Sequence, residues 1–160
     1  MTEVKYEGFY VRQATKSDID GIYNITKIAF KSYAKLAGLK TTDALEETKE
    51  DVARDIDEKL VLVAVIDDLV VGSVRITIDG DEGYFSRFGV DTNYQNIGIG
   101  KCLMNMVDIK MRAKGVKTLK LHTASKVSSL IRFYYGRGFY IDEVSKDRGY
   151  VRALLIKEYK

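Results

Sequence analysis

Hydrophobic and polar positions along this chain change period several times, and each change predicts an element. Phe9-Tyr10-Val11-Arg12-Gln13 alternates as a short strand. Thr15-Lys16-Ser17-Asp18 then offers a capping-box-like start for a helix whose Ile19, Ile22, Tyr23, Thr26, Ala29 and Phe30 recur at helical spacing. Residues 31–40 read as a connecting loop or broken helix. Thr41-Thr42-Asp43 predicts the cap of a second helix through Glu58, apolar at Leu45, Val52 and Ile56 and strongly acidic on its other face.

Three apolar runs follow, 60–66, 70–78 and 84–90, separated by turns at Asp67-Asp68 and at residues 79–83. They predict an antiparallel meander. Ile99, Cys102, Leu103, Met106 and Ala113 mark one face of a long helix that stops at Gly115. A strand at 118–123, a helix at 125–137 closed by Gly136 or Gly138, and a hairpin of 139–144 with 150–157 across residues 146–149 complete the order. The sum is a mixed sheet with helices on both faces, an α/β chain that excludes a purely alternating parallel fold. No internal repeat or linker divides it, so residues 1–160 read as a single domain.

Composition narrows the function. With 46% hydrophobic and 31% charged residues in 160, the chain can bury a core large enough to offset backbone entropy. Lys plus Arg is 26 and Asp plus Glu 23, and a net +3 is too small and too dispersed to favour nucleic acid. The lone Cys102 cannot form an internal disulfide, and the lone His122 leaves too few soft ligands for zinc, so no metal is expected. The opening MTEVKYEG has no apolar signal core, and the run 60–66 is far short of the roughly 20 residues of a membrane helix. A cytoplasmic protein with no membrane partner is expected. Proline is absent, so turns rely on Gly, Asp and Asn.

The richest local signal is Tyr94-Gln95-Asn96-Ile97-Gly98-Ile99-Gly100-Lys101, which joins the third meander strand to the long helix. Unpaired amides at a helix start point outward, the helix dipole adds positive potential, and glycine removes the side chains that would block an anion. A P-loop is excluded, because Gln95 fills its first glycine position and Cys102 its magnesium-binding hydroxyl position. A dinucleotide fingerprint is excluded by Leu103 at the third glycine and by Lys117 and Lys120 where an acid is required. Taken alone, the G-x-G serves either a phosphate cradle or close helix packing.

Together with its surroundings, this turn resembles the GNAT superfamily of N-acetyltransferases. Gln95, Gly98 and Gly100 match that family's Gln/Arg-x-x-Gly-x-Gly/Ala after a strand ending in valine, here Val90, and Phe133-Tyr134-Tyr135-Gly136-Arg137-Gly138-Phe139 matches its Phe-Tyr-x-x-x-Gly-Phe. The order of elements over essentially the whole chain is similar as well. The resemblance implies acetyl-CoA as cosubstrate, with the amides of Gln95, Asn96, Ile97, Gly98, Ile99, Gly100 and Lys101 on its pyrophosphate and the main chain of Phe88, Gly89 and Val90 on its pantetheine arm. It implies direct acetyl transfer to a primary amine of a small molecule, peptide or protein within a ternary complex. Departures are Thr92 where proline is frequent, and Val127 and Leu130 where asparagine and alanine are frequent.

Transfer from a thioester to an amine requires a base, an oxyanion donor and an acid. Tyr134 is the expected general acid, since an ordinary phenol with a pKa near 10 is protonated at neutral pH; packing against Phe133 and Phe139 is its other reading. The carboxylate that family members often carry on the third meander strand is missing at Tyr84 or Ser86. Glu82, His122 or a water relay are the alternatives for the base, and a main-chain amide near Val90 is the expected oxyanion donor. Cys102 lies on the apolar helix stripe and is expected to be buried. Tyr33, Lys31, Lys35 and Asp43 fall in the segment expected to face the acceptor, and the run Glu46, Glu47, Glu50 and Asp51, which would suit a cationic amine if it faced the cleft, is expected to be solvated. A non-catalytic acyl-CoA-binding or regulatory module is the alternative reading. The last hairpin leaves an exposed strand through which a homodimer could form.

Overall fold

Successive residues of one strand, Leu60–Ile66, belong to different cores. Leu60, Leu62 and Ala64 join a cluster with Leu103, Met104, Met106 and Val107, whereas Val61, Val63 and Val65 join one with Ile22, Ile25 and Val52. An apolar run that is buried on both faces must be an interior strand covered twice. This is β3; the strands before it are β1 (Glu3–Tyr6) and β2 (Phe9–Gln13), and those after it β4 (Leu69–Asp79), β5 (Glu82–Val90), β6 (Thr118–Ala124), β7 (Tyr140–Ser145) and β8 (Arg152–Glu158). The helices are α1 (Ile19–Ala37), α2 (Asp43–Glu46), α3 (Lys49–Glu58), α4 (Ile99–Ala113) and α5 (Ser128–Gly136). The computed structural model describes residues 3–6 and 8–160. Its sheet runs in the order β1-β2-β3-β4-β5-β6-β8-β7, antiparallel at every step except β5–β6. The expected mixed sheet with helices on both faces is the fold observed. No described helix is long and apolar enough to cross a membrane.

The meander forms as its pattern predicts. Asp67 and Asp68 both take positive φ (47° and 66°), the conformation a tight two-residue hairpin needs and one that aspartate tolerates better than most residues. Three expectations need correction. A further strand, β1, pairs with β2 ahead of the predicted start. Residues 31–37 continue α1, which is helical for 19 residues and ends at Gly38 with φ 73°. Small Ala34 and Ala37 carry its buried stripe past Phe30, so the face continues although the large apolar residues stop. The third concerns the second helix.

That helix is two. Thr42 caps α2, accepting from the Leu45 N–H, but Glu47 is extended (ψ 153°) and Thr48 starts α3 with its own capping box to Asp51. Glu47 is not solvated. Its carboxylate turns inward to Arg75, the largest fully buried side chain, which donates to both Glu47 oxygens (2.9 and 2.6 Å), to Asp55 (2.8 Å) and to Thr26 (3.3 Å). Arg87 adds a donor to the same carboxylate at 3.1 Å. Lys27 donates to the carbonyls of Leu45 and Glu47, which satisfies groups the chain leaves open where it breaks. Toward the C-terminus, α5 is shorter than its pattern at both ends and β7 begins one residue after Phe139, whose ring is buried in the core.

A buried guanidinium that loses its partner is worse than no ion pair at all. Glu47→Ala is expected to lower unfolding free energy by about 3–5 kcal/mol, read as a reduced denaturant midpoint at unchanged slope. A loss below about 1 kcal/mol, the range of exposed pairs, would show that the network contributes little.

Candidate functional site

The parallel strands β5 and β6 pair only at their beginnings, Glu82–Tyr84 against Thr118–Lys120. Beyond Tyr84 they part, and β5 bulges. Between the pairs Ser73↔Gly89 and Arg75↔Ser86, the single residue Val74 lies opposite both Arg87 and Phe88, and Arg87 takes φ 54°. A bulge removes ladder partners and re-aims side chains. Main-chain groups of β5 therefore face an opening between two strands instead of a neighbouring ladder. Tyr84 is the last paired residue, and everything chemical in the chain gathers just past it.

Two clefts occupy this opening. One, of about 430 Å³, runs along the N-terminus of α4 and is lined by Phe88, Val90, Gln95, Asn96, Gly98, Ile99, Gly100 and Lys101 among others. Eight of the ten residues expected to hold a nucleotide cosubstrate thus line it. Gly89 and Ile97 do not. Gly89 instead lets α1 approach β5, since a Cβ there would stand 2.5 Å from that of Ala29, and Ile97 is half exposed on the outside of the turn. Asn96 and Gly98 both have positive φ (67° and 88°), and no side chain caps α4. The amides of residues 95–101 have no acceptor among the described residues. Thr92 stands where the related motif often has proline, and the preceding Asp91 accepts from the Asn93 N–H at 2.9 Å and fixes the turn. Gly100 serves both expectations for the G-x-G: it lines the cleft, and a Cβ on it would press the Phe88 ring at 3.1 Å.

The second cleft, of about 370 Å³, lies on the other side of Phe88, and Tyr33, Phe88 and Leu130 line both. Tyr134 lines this one. Its ring packs edge-on against Phe85, Phe133 and Phe139, while its hydroxyl has no partner among the described residues. Packing residue and reactive group are one and the same. Burial, with Tyr33 adding a smaller effect, pushes its phenol above the ordinary value, so the proton stays on oxygen.

The same cleft holds a pair that sequence spacing could not join. Tyr84 Oη and His122 Nδ1 are 2.7 Å apart, on strands that are neighbours only through β5–β6 pairing. Burial raises the Tyr84 phenol, and burial followed by the charges of Arg152 and Arg148 lowers the His122 imidazole. Both therefore stay neutral near pH 7. Glu82 lies outside the lining of both clefts, half exposed and ion-paired with Lys120 at 3.2 Å. Asp43 and Tyr33 line the second cleft, whereas Lys31 and Lys35 do not. Cys102 is half-buried at the core's edge, less enclosed than its stripe position predicted. No signal in the sequence indicated Arg87, Arg148 and Arg152, which come from two separate segments, β5 and the β7–β8 hairpin, and meet only in the fold. The described residues contain no cluster of three metal-ligating side chains.

With this geometry, comparison with known proteins becomes informative. The family model described as Acetyltransferase (GNAT) family matches residues 21–139. PaiA N-acetyltransferase from Thermoplasma acidophilum, solved in complex with coenzyme A, superposes with a TM-score of 0.83 at 20% identity, over 94% of this chain and 99% of that one. The ribosomal-protein-S18-alanine N-acetyltransferase of Escherichia coli gives 0.77 at 16% identity over 94% and 93%. A GNAT family acetyltransferase from Elizabethkingia anophelis with acetyl-CoA bound gives 0.73 at 17% over 96% and 100%. At such identities the likeness is one of fold. No curated protein sequence matches the chain.

The environment of His122 generates a pH prediction. Burial and two neighbouring arginines disfavour the imidazolium more than Asp147 and Glu143 favour it, so the folded protein should take up this proton at lower pH than the unfolded chain. NMR titration of the single histidine is expected to give a midpoint below 6.5, moving upward in Arg152→Gln. A midpoint at or above 6.5 would contradict the assigned surroundings.

Proposed function

The chain belongs to the GNAT acetyltransferase family and is an acyltransferase, and from that premise we propose that it transfers an acetyl group from acetyl-CoA directly to a primary amine held in the second cleft. The observation that carries this reading is the meeting of the two clefts at Phe88 beside Tyr134. A turn with unsatisfied amides, an uncapped helix start and no obstructing side chain at Gly98 suits a diphosphate. Lys101, in the same cleft, adds a mobile positive charge. The unpaired stretch at Arg87–Phe88 offers main-chain groups to an amide-bearing arm, as an added strand would use them.

Acetyl-CoA supplies the activated acyl group and a thiolate as leaving group. The protein's residues then manage protons and charge. The Tyr84–His122 pair takes the proton the amine must lose, either at the imidazole or through the phenol, and so stands in for the carboxylate missing from β5. A main-chain N–H near Val90 faces the oxygen on which negative charge grows as the C–N bond forms. Tyr134 gives its proton to sulfur as the C–S bond breaks, which leaves neutral thiol and amide. A non-catalytic binding module would have no use for a proton acceptor and a proton donor in one cleft.

Incubation with acetyl-CoA and a panel of amines, with free thiol followed, should give acceptor-dependent release; saturable acetyl-CoA binding without turnover on any acceptor would favour the regulatory module. Tyr134→Phe is expected to lower turnover by roughly 10² to 10⁴, with acetyl-CoA affinity nearly unchanged. An unaltered turnover number would remove Tyr134 from the chemistry.

A further inference from the structure

The second cleft is richer in positive charge than acetyl transfer requires. Lys59, Arg87, Arg148 and Arg152 line it, against one acid, Asp43. An alkylamine with an ordinary pKa of about 10.4 arrives as a cation, so a plain amine or polyamine would enter against like charge. Internal acids meet part of this charge. Arg87 contacts Glu47 at 3.1 Å, Arg148 contacts Asp43 at 3.5 Å, Arg152 contacts Asp147 at 3.3 Å and Lys59 contacts Asp55 at 3.3 Å. Each arginine commits only one nitrogen to these contacts, out of five N–H bonds per guanidinium.

Arg152 is the least satisfied of them. Its side chain is only 12% exposed, its one terminal nitrogen in use reaches Asp147 at the long distance of 3.3 Å, and its Nε is buried with no partner. A buried guanidinium N–H without an acceptor costs free energy that a bound oxygen would recover. The one comparable orphan among the described residues, Arg75 Nε, sits among Glu47, Asp55 and Thr26 and does not line the cleft. Arg152 also neighbours the Tyr84–His122 pair, since its charge acts on both groups. An anion bound there lies close to where an amine gives up its proton. The Arg148–Asp43 contact ties the β7–β8 turn to the start of α2 across this cleft, leaving a space of small-molecule size.

We propose that the acceptor is a small aminocarboxylate, whose carboxylate binds Arg152, assisted by Arg148, while its amine faces Tyr84 and His122. This rests on the acetyltransferase reading and adds the substrate class. The anion offsets the cleft's charge, so the ammonium end enters without net repulsion.

The test compares free amino acids, their decarboxylated amines and short peptides as acceptors, by thiol release at fixed acetyl-CoA. At least one aminocarboxylate should exceed its decarboxylated analogue in kcat/KM by tenfold or more, and Arg152→Gln should shrink that ratio by about 10- to 100-fold. Arg152→Lys should keep part of the preference, and Asp147→Asn, which removes the competing internal carboxylate, should enlarge it. Because the readout is a ratio, loss of folded protein cancels. A wild-type preference for decarboxylated amines or peptides, or a ratio indifferent to Arg152, overturns the inference. Turnover confined to decarboxylated amines or peptides sinks the aminocarboxylate alone; if nothing in the panel reacts, the acceptor falls, and calorimetry separates what is left, acetyl-CoA binding favouring the regulatory module and its absence removing the acetyltransferase reading as well.

Discussion

Two strands that begin as a parallel pair and then part company set the terms for the rest of this molecule. Within a sheet, main-chain N–H and C=O groups are consumed by the neighbouring strand. Here β5 loses β6 after Tyr84 and partly loses β4 at the Arg87–Phe88 bulge. Such a gap would be costly if left to itself. It is wedged by aromatic packing, with Phe88 stacked on Phe133 at 5.6 Å between ring centres and Phe85 edge-on to Tyr134 at 6.0 Å. The remaining space forms the two clefts, one facing a helix start and the other facing polar side chains of β5, β6 and β8.

The buried ion network anchors one side of that gap. Glu47 joins Arg75 in the centre of β4 to Arg87 in the bulge of β5, so one carboxylate links the break between α2 and α3 to the backbone kink beside the cleft. Replacing such a network by apolar side chains need not cost stability. What apolar packing could not supply is a directional contact holding Arg87 at positive φ while the same residue lines the acceptor cleft. The geometry of the site and the placement of α2 are therefore one problem, solved by one acidic residue.

How far these features were legible follows from how local they are. The meander, the long helix and the glycine turn depend on residues close in sequence, and each was readable from its own segment. The continuation of α1 was not, because Ala34 and Ala37 bury their face without the bulk that periodicity detects. The break at Glu47 was not either. An acidic residue in an acidic run looks solvated until its partner, 28 positions away on β4, is known. Of the ten residues read from the glycine turn and the strand before it, eight line one cleft. The acceptor side was read poorly, since Tyr84, His122, Arg148 and Arg152 converge only through the β5–β6 and β6–β8 pairings. A cosubstrate common to many enzymes can be met by a contiguous motif, whereas an acceptor is met by whichever side chains the fold brings together.

Desolvation reconciles the two proton roles proposed for Tyr134 and the Tyr84–His122 pair. Desolvation penalises whichever form of a group is charged, so loss of water raises a phenol and lowers an imidazole, fully at the buried Tyr134 and in part at the more exposed His122. Desolvation is the first cause of both shifts, which run in opposite directions. The result is a proton donor that keeps its proton and an acceptor that lacks one, both neutral at the same pH, without a carboxylate on β5. The nearby arginines reinforce the second half of this arrangement by lowering His122 further. A glutamate at Tyr84 would have faced the same cations and been held as a weaker base. The same cations weaken an imidazole as well, but it starts from an ordinary value near 6.5 against about 4.3 for a glutamate and so remains the stronger base.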